Sequence, residues 1–233
     1  MQVTQEDIMK LLDKLYDGCI QGIPKVSPPI EKLAEDYLSK NYDVEKAAKS
    51  FINYQIAKCT TSGFLTSFGG FITLPVAIPA NIGSVLYVQM RMIACLAYMG
   101  GYDINCDQVQ TLVYACLAGI SVDQIVKRVG ITFGNKLANS LVKKIPGKAL
   151  TKINKAVGFR FLTKFGTKGL INIGKMVPLV GAVIGGGLDF VETKTIADRS
   201  YKIFILGDFS SASQNKAGDI IEIDETDFEN VGN

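Results

Sequence analysis

With 233 residues, 48% of them apolar and 20% charged, and a formal net charge of +3, the chain can bury a sizeable core in one large helical domain. It contains no histidine, which excludes His-dependent triads, His metal ligands and the usual switch near neutral pH. Its five cysteines, Cys19, Cys59, Cys95, Cys106 and Cys116, lack the CxxC spacing of a metal site and read as reduced, mostly apolar-core residues.

The amino terminus, MQVTQEDIMKLLDKLYDG, is amphipathic and carries acids, unlike a signal peptide, so an intracellular location is expected. Thr4 caps a helix predicted over 5–17, with Ile8, Leu11, Leu12 and Leu15 on one face and Gly18 as its stop. After the connector GIPKVSPP, the Ser27-Pro28-Pro29 run opens a second helix, in which Ile30, Leu33, Ala34, Tyr37 and Leu38 keep helical spacing to about Lys40. Asp43 caps a third over roughly 44–60, with Ala47, Phe51, Ile52 and Ile56 inward.

From Cys59 to Met90 no residue is charged, a run of 32, longer than the roughly 20 residues that a membrane-spanning helix needs. Pro75 and Pro79, with Gly69, Gly70 and Gly83, break the run into a hairpin carrying Phe64, Phe68 and Phe71. That hairpin either meets lipid or forms a buried core. Asn81 caps its second arm, 82–99, and the GGYD turn at 100–103 ends it. Arg91 lies within that arm, and a charge in apolar surroundings needs a partner, for which Asp103, Asp189 and Glu192 are the candidates. A further apolar helix is predicted over 107–120, centred on Leu112, Val113, Ala115, Cys116 and Leu117.

Between Gln124 and Leu188 there are twelve basic residues and no acid, which predicts a surface that meets something anionic. Pro146 opens a helical segment in which Lys148, Lys152 and Lys155 share a face, preceded by Lys143 and Lys144. After Gly158 follow Arg160, Lys164 and Lys168, interleaved with Phe159, Phe161, Leu162 and Phe165. A Lys/Arg face backed by Phe and Leu is the pattern of an interfacial helix on anionic lipid, and no nucleic-acid-binding signature accompanies it. Gly181 and Gly185 stand in GxxxG spacing, which favours close helix packing. A final helix over about 190–205 turns Phe190, Ile196, Ala197, Tyr201 and Phe204 inward. From Asp208 to Asn233 seven acids and one lysine form a tail of net charge −6, a second element on which a protein partner could dock.

The run GFLTSFGGFITLPVAIPANIGSVLYVQMRMIACLAYMGGYDI resembles the signature core of the EcsC family, and KMVPLVGAVIGGGLDFVETKTIADRSYKIF is similar to its carboxy-terminal block. The resemblance covers about residues 40–205; the first forty residues and the tail lie outside it. The matching positions include Gly63, Gly70, Pro75, Pro79, Arg91, Tyr98, Gly101, Tyr102 and Asp103, then Pro178, Gly181, Asp189 and Thr193. The resemblance implies a mainly prokaryotic helical protein, cytoplasmic or peripheral at the inner membrane, with no catalytic residues to carry over.

The expected fold is all-α: one bundle of about eight helices over 1–206, around the broken apolar hairpin, followed by the acidic tail 207–233. No Ser elbow, phosphate loop or metal cluster occurs, so no enzyme, cofactor or metal is expected. Two functional readings compete, and a third, an enzyme using the polar groups Asn81, Arg91, Asp103 and Asp189 of the apolar body, has no motif to name its reaction. In the first, the chain docks on anionic lipid through its basic segment and inserts the hairpin, as a membrane-active effector or a transporter-linked factor. In the second, it is a soluble helical adaptor whose hairpin is core or lines a groove for a lipid.

Overall fold

A computed structural model describes residues 4–24, 26–59, 80–122, 139–165 and 193–208. The expectations for Phe64, Phe68, Phe71, Pro75, Pro79, Lys168, Gly181, Gly185, Asp189 and the tail from 209, and for the Lys164 side chain, lie outside the described residues. Within them every named element is helical, and the only β feature is an isolated bridge between Ile23 and Ser27. The all-α expectation therefore holds.

Helix α1 spans Gln5–Gln21 and starts in a capping box. The Asp7 N–H donates to Thr4 Oγ1 at 3.1 Å while the Thr4 N–H donates to Asp7 Oδ2 at 3.0 Å. Gly18 does not stop it. The helix runs on to Gln21 and ends at Gly22, where φ is 76°. An interior glycine costs about 1 kcal/mol relative to alanine. Here a hydroxyl from another helix holds the turn, because Tyr87 Oη donates to the Gly18 carbonyl at 3.2 Å.

Helix α2 (Ile30–Leu38) follows Pro29, and α3 (Val44–Cys59) follows Asp43, whose Oδ1 accepts from the Glu45 N–H at 3.0 Å. The predicted inward faces are buried at Ile30, Ala34, Ala47, Phe51 and Ile52, and half-buried at Leu33, Tyr37, Leu38 and Ile56.

Helix α4 (Ala80–Met99) begins one residue before Asn81, so Asn81 lies inside it rather than capping it. From Leu86 to Ala97 every residue is buried. A helix apolar all round needs neighbours on every side. It has them: α1, α2, α3, α5 (Asp107–Ala118) and the last helix all pack on α4. This arm of the hairpin is core, shielded by protein. Among the described residues no helix is long and apolar enough to cross a membrane.

The GGYD turn ends α4 in a Schellman motif: Tyr102 N–H donates to Ala97 O at 3.0 Å and Gly101 N–H to Tyr98 O at 2.9 Å. Gly100 permits a close approach, since a Cβ there would lie 2.0 Å from Phe204 O. After a short α6 (Asn139–Val142), α7 (Gly147–Phe165) packs against α5 and α1. It runs unbroken through Gly158, which is buried against Gln5 and Met9 of α1. The last helix, α8, covers residues 193–200 and continues as a π-helical turn, Tyr201–Ile205. Phe204 meets Tyr102 edge-on, with ring centroids 5.4 Å apart.

Candidate anionic-surface interface

The chain uses its two cationic residue types for different work. It has four arginines, and the three that fall among the described residues all donate to main-chain carbonyls inside the protein. Arg91, 7% exposed, donates from Nη1 to Cys19 O at 3.0 Å and from Nη2 to Pro28 O. Tyr87, one turn earlier on α4, donates to Gly18 O and shares a 2.8 Å hydrogen bond with Ser27 Oγ. Together they clamp the carboxy-terminal end of α1 to the start of α2. The last carbonyls of a helix have no intrahelical donor and carry the negative end of its dipole. Neither α1 nor α5 has a basic residue in its own last turn. A guanidinium from a neighbouring helix supplies it.

The end of α5 repeats the arrangement. Arg199, also 7% exposed, donates to Cys116 O at 3.0 Å, and Arg160 donates from Nε to Ala118 O at 2.9 Å. Gly119 caps the helix at φ 72°, and a side chain there would crowd Arg199 Nη1 at 3.3 Å. Nearby, Cys116 Sγ and Ser200 Oγ lie 3.3 Å apart, and Gln89 Nε2 donates to Thr193 Oγ1 at 3.2 Å, tying α8 to α4.

Two sequence expectations are corrected. Asp103 is exposed, its Oδ1 accepts from the Asn105 N–H at 3.1 Å, and it is no buried partner of Arg91. The Cys19 carbonyl at the end of α1 and the Pro28 carbonyl in the connector ahead of α2 take the place of a carboxylate. Arg160 does not share the lysine face, because its half-buried guanidinium turns inward to α5.

The lysines stay outside. On α7, Ala149, Ile153, Ala156, Val157 and Phe161 are buried, whereas Lys148, Lys152 and Lys155 are exposed on the opposite side. Lys143 and Lys144, in the turn before Pro146, are exposed as well. The first turn of α7 holds no acid, so Lys148 faces the positive end of the helix dipole, where a cation is disfavoured. Among the described residues, Lys10 pairs with Glu6 at 2.7 Å on α1 and Lys49 with Glu45 at 3.6 Å on α3. Lys143, Lys144, Lys148 and Lys155 have no ion pair among the described residues. The arrangement is three exposed ammonium groups on one face of α7 and two more in the turn before it, with nothing negative interleaved in sequence.

Buried thiols complete the interior. Burial pushes the Cys19 and Cys116 thiols up, against the pull of Arg91 and Arg199 respectively, and raises Cys95 to about 12. Cys106 is the half-buried exception. Among the described residues no group of acids or cysteines could hold a metal ion. Sequence reasoning overlooked Tyr87 and Arg199. The signal for the first was the Tyr87–Arg91 spacing, two polar-tipped side chains one turn apart in an otherwise apolar helix.

A model of the EcsC protein family matches residues 2–206. The match takes in the amino-terminal helices, which the quoted motifs alone leave out. Their place in the unit follows from the clamp, since Arg91 and Tyr87 of the signature core hold the end of α1. No curated protein and no solved structure matches the chain.

Proposed function

The chain belongs to the EcsC protein family, and we propose that it docks on anionic membrane lipid through the lysine edge of α7 and catalyses no reaction. The observation that carries this reading is the exposed set of Lys148, Lys152 and Lys155 on a helix without acids, with Lys143 and Lys144 exposed in the turn before it. Each lysine held near an anionic leaflet contributes roughly 1 kcal/mol. Docking of this kind corresponds to a peripheral position at the cytoplasmic face of the membrane. Insertion of the second hairpin arm gains no support from its packing, because residues 86–97 are already covered by other helices.

The test is co-sedimentation with vesicles of phosphatidylglycerol and phosphatidylcholine. Binding should follow the anionic fraction and fall steeply with salt, as the screening length shrinks from about 10 Å at 0.1 M to about 3 Å at 1 M. Replacing Lys144, Lys148, Lys152 and Lys155 with Gln should weaken it by about 4 kcal/mol, roughly a thousandfold. Binding that ignores both salt and these substitutions refutes the reading. One observation favours the alternative, a helical binding or adaptor protein. Three amphipathic helices wrap α4, which makes the apolar arm an ordinary bundle core. Parent protein that stays in the supernatant at low salt decides for that alternative.

A further inference from the structure

A cavity of 140 Å³ opens where the lysine edge begins, between the turn after α4, helix α5 and the turn after α6. Its apolar walls are Tyr102, Val109 and Val142, all buried. Asp103 and Lys143, both exposed, also line it, together with the half-buried Cys106. In size it compares with the roughly 150 Å³ engineered cavities that accept a single six-carbon ring.

The lining holds two opposite charges that do not satisfy each other. Lys143 has no ion pair among the described residues, and the Asp103 carboxylate takes only the Asn105 N–H there. A bare anion would meet repulsion from Asp103, and a bare amine would meet repulsion from Lys143. A ligand carrying an anionic group with a hydrogen-bond donor a few atoms away matches both, and the mismatched end rejects each simpler ligand.

We propose that this cavity binds a small phosphate ester with a neighbouring hydroxyl or ammonium group. Lys143 holds the phosphate, Asp103 accepts from the hydroxyl or ammonium, and the Tyr102–Val109–Val142 wall packs on the carbon stem. The same chemistry is offered by a glycerophospholipid headgroup and by a free phosphate ester. The inference deepens the docking reading, since Lys143 belongs to the same edge, but the cavity can be read without any membrane.

Cys106 serves as the reporter. Its alkylation by iodoacetamide, followed by peptide mapping in the full chain, separates it from the buried Cys19, Cys95 and Cys116. With sn-glycerol 3-phosphate at ten times its Kd, about one site in eleven stays open, so alkylation should slow about tenfold. Glycerol alone and inorganic phosphate alone should leave the rate at its unliganded value. Asp103→Asn and Lys143→Gln should each abolish the slowing, read as the ratio of liganded to unliganded rate within each variant, because removing either charge beside Cys106 also shifts its unliganded rate. Protection by phosphatidylglycerol vesicles as well supports the cavity and assigns it to a lipid headgroup. Protection by the soluble ester alone supports it as a site for a free ester. No protection from either, or equal protection from inorganic phosphate, overturns the proposal. Vesicle sedimentation is scored separately, so a docking failure with ester protection intact sinks the docking reading and spares the cavity.

Discussion

Replacing Arg91 with Met removes both donors that join α4 to the α1–α2 corner. The guanidinium is 7% exposed, and its acceptors, Cys19 O and Pro28 O, belong to different elements. A hydrogen bond from a charged donor contributes about 1.5–3 kcal/mol, and an orphaned buried carbonyl costs about 1–3 kcal/mol. Against that stands relief from burying a cation, so the net loss should be about 2–4 kcal/mol. At this chain length each kcal/mol moves Tm by about 2–4 °C, so Tm should fall by about 5–15 °C. Arg91→Lys keeps the charge but has no planar fork to span two carbonyls, and should lose about half as much. The assay is thermal and urea unfolding followed by far-UV circular dichroism, with hydrogen exchange read at residues 18–29. Exchange there should quicken in both variants before the rest of the chain. An Arg91→Met protein within about 0.5 kcal/mol of the parent would refute the clamp, because that is the scatter of an unconstrained surface change.

Gly100→Ala should cost about 1–3 kcal/mol by urea midpoint, since its Cβ would sit 2.0 Å from the Phe204 carbonyl, a backbone atom that cannot swing aside. Arg160→Ala should cost about 1–2 kcal/mol through the orphaned Ala118 carbonyl, while vesicle affinity stays at the parent level. A loss of affinity without loss of stability would return Arg160 to the docking face. In the folded state burial raises Cys19, Cys116 and Cys95, the last to about 12, so folded protein keeps thiol protons that the unfolded chain releases from about pH 8.5. Their contribution is therefore complete below about pH 8.5 and declines as pH rises toward 12, by up to about 1.4 kcal/mol per pH unit for each thiol. Urea unfolding between pH 8 and 10.5 checks the sign; a flat profile contradicts it, and Cys95→Ala should shallow the slope.

The helices were legible because their burial is periodic. Ile8, Leu11, Leu12 and Leu15 mark one face of α1, and the absence of charge around Leu86–Met90 marks α4 as surrounded. What was not legible depends on groups that a sequence does not spell. Gly18 reads as a stop, yet a tyrosine 69 residues away holds the turn together. Arg91 calls for a counter-charge, and the chain answers with two main-chain carbonyls, Cys19 O at the end of α1 and Pro28 O in the connector, which every residue type carries alike. In the basic segment, Arg160 and Lys155 read alike as positive charge. Their chemistry separates them, because a weakly hydrated planar guanidinium tolerates burial against carbonyls better than a compact, strongly hydrated ammonium. The use of arginine at 91, 160 and 199 amid a lysine-rich chain was the available clue. The cavity beside Lys143 was invisible for another reason: Asp103 and Lys143 are 40 positions apart and come to line one cavity only in the folded chain.

The central claim of the proposal is that the exposed lysines of α7 and the turn before it meet anionic lipid, and that α1, α2 and α3 do not. Lysine acetylation footprinting on vesicles of phosphatidylglycerol tests it most directly, with each lysine reporting on itself. Lys144, Lys148, Lys152 and Lys155 should be protected when vesicles are added, whereas Lys10, Lys32 and Lys46 on α1, α2 and α3 should react as they do in free protein. Protection on α1–α3 with α7 left reactive, or no protection anywhere on vesicle-bound protein, would contradict it.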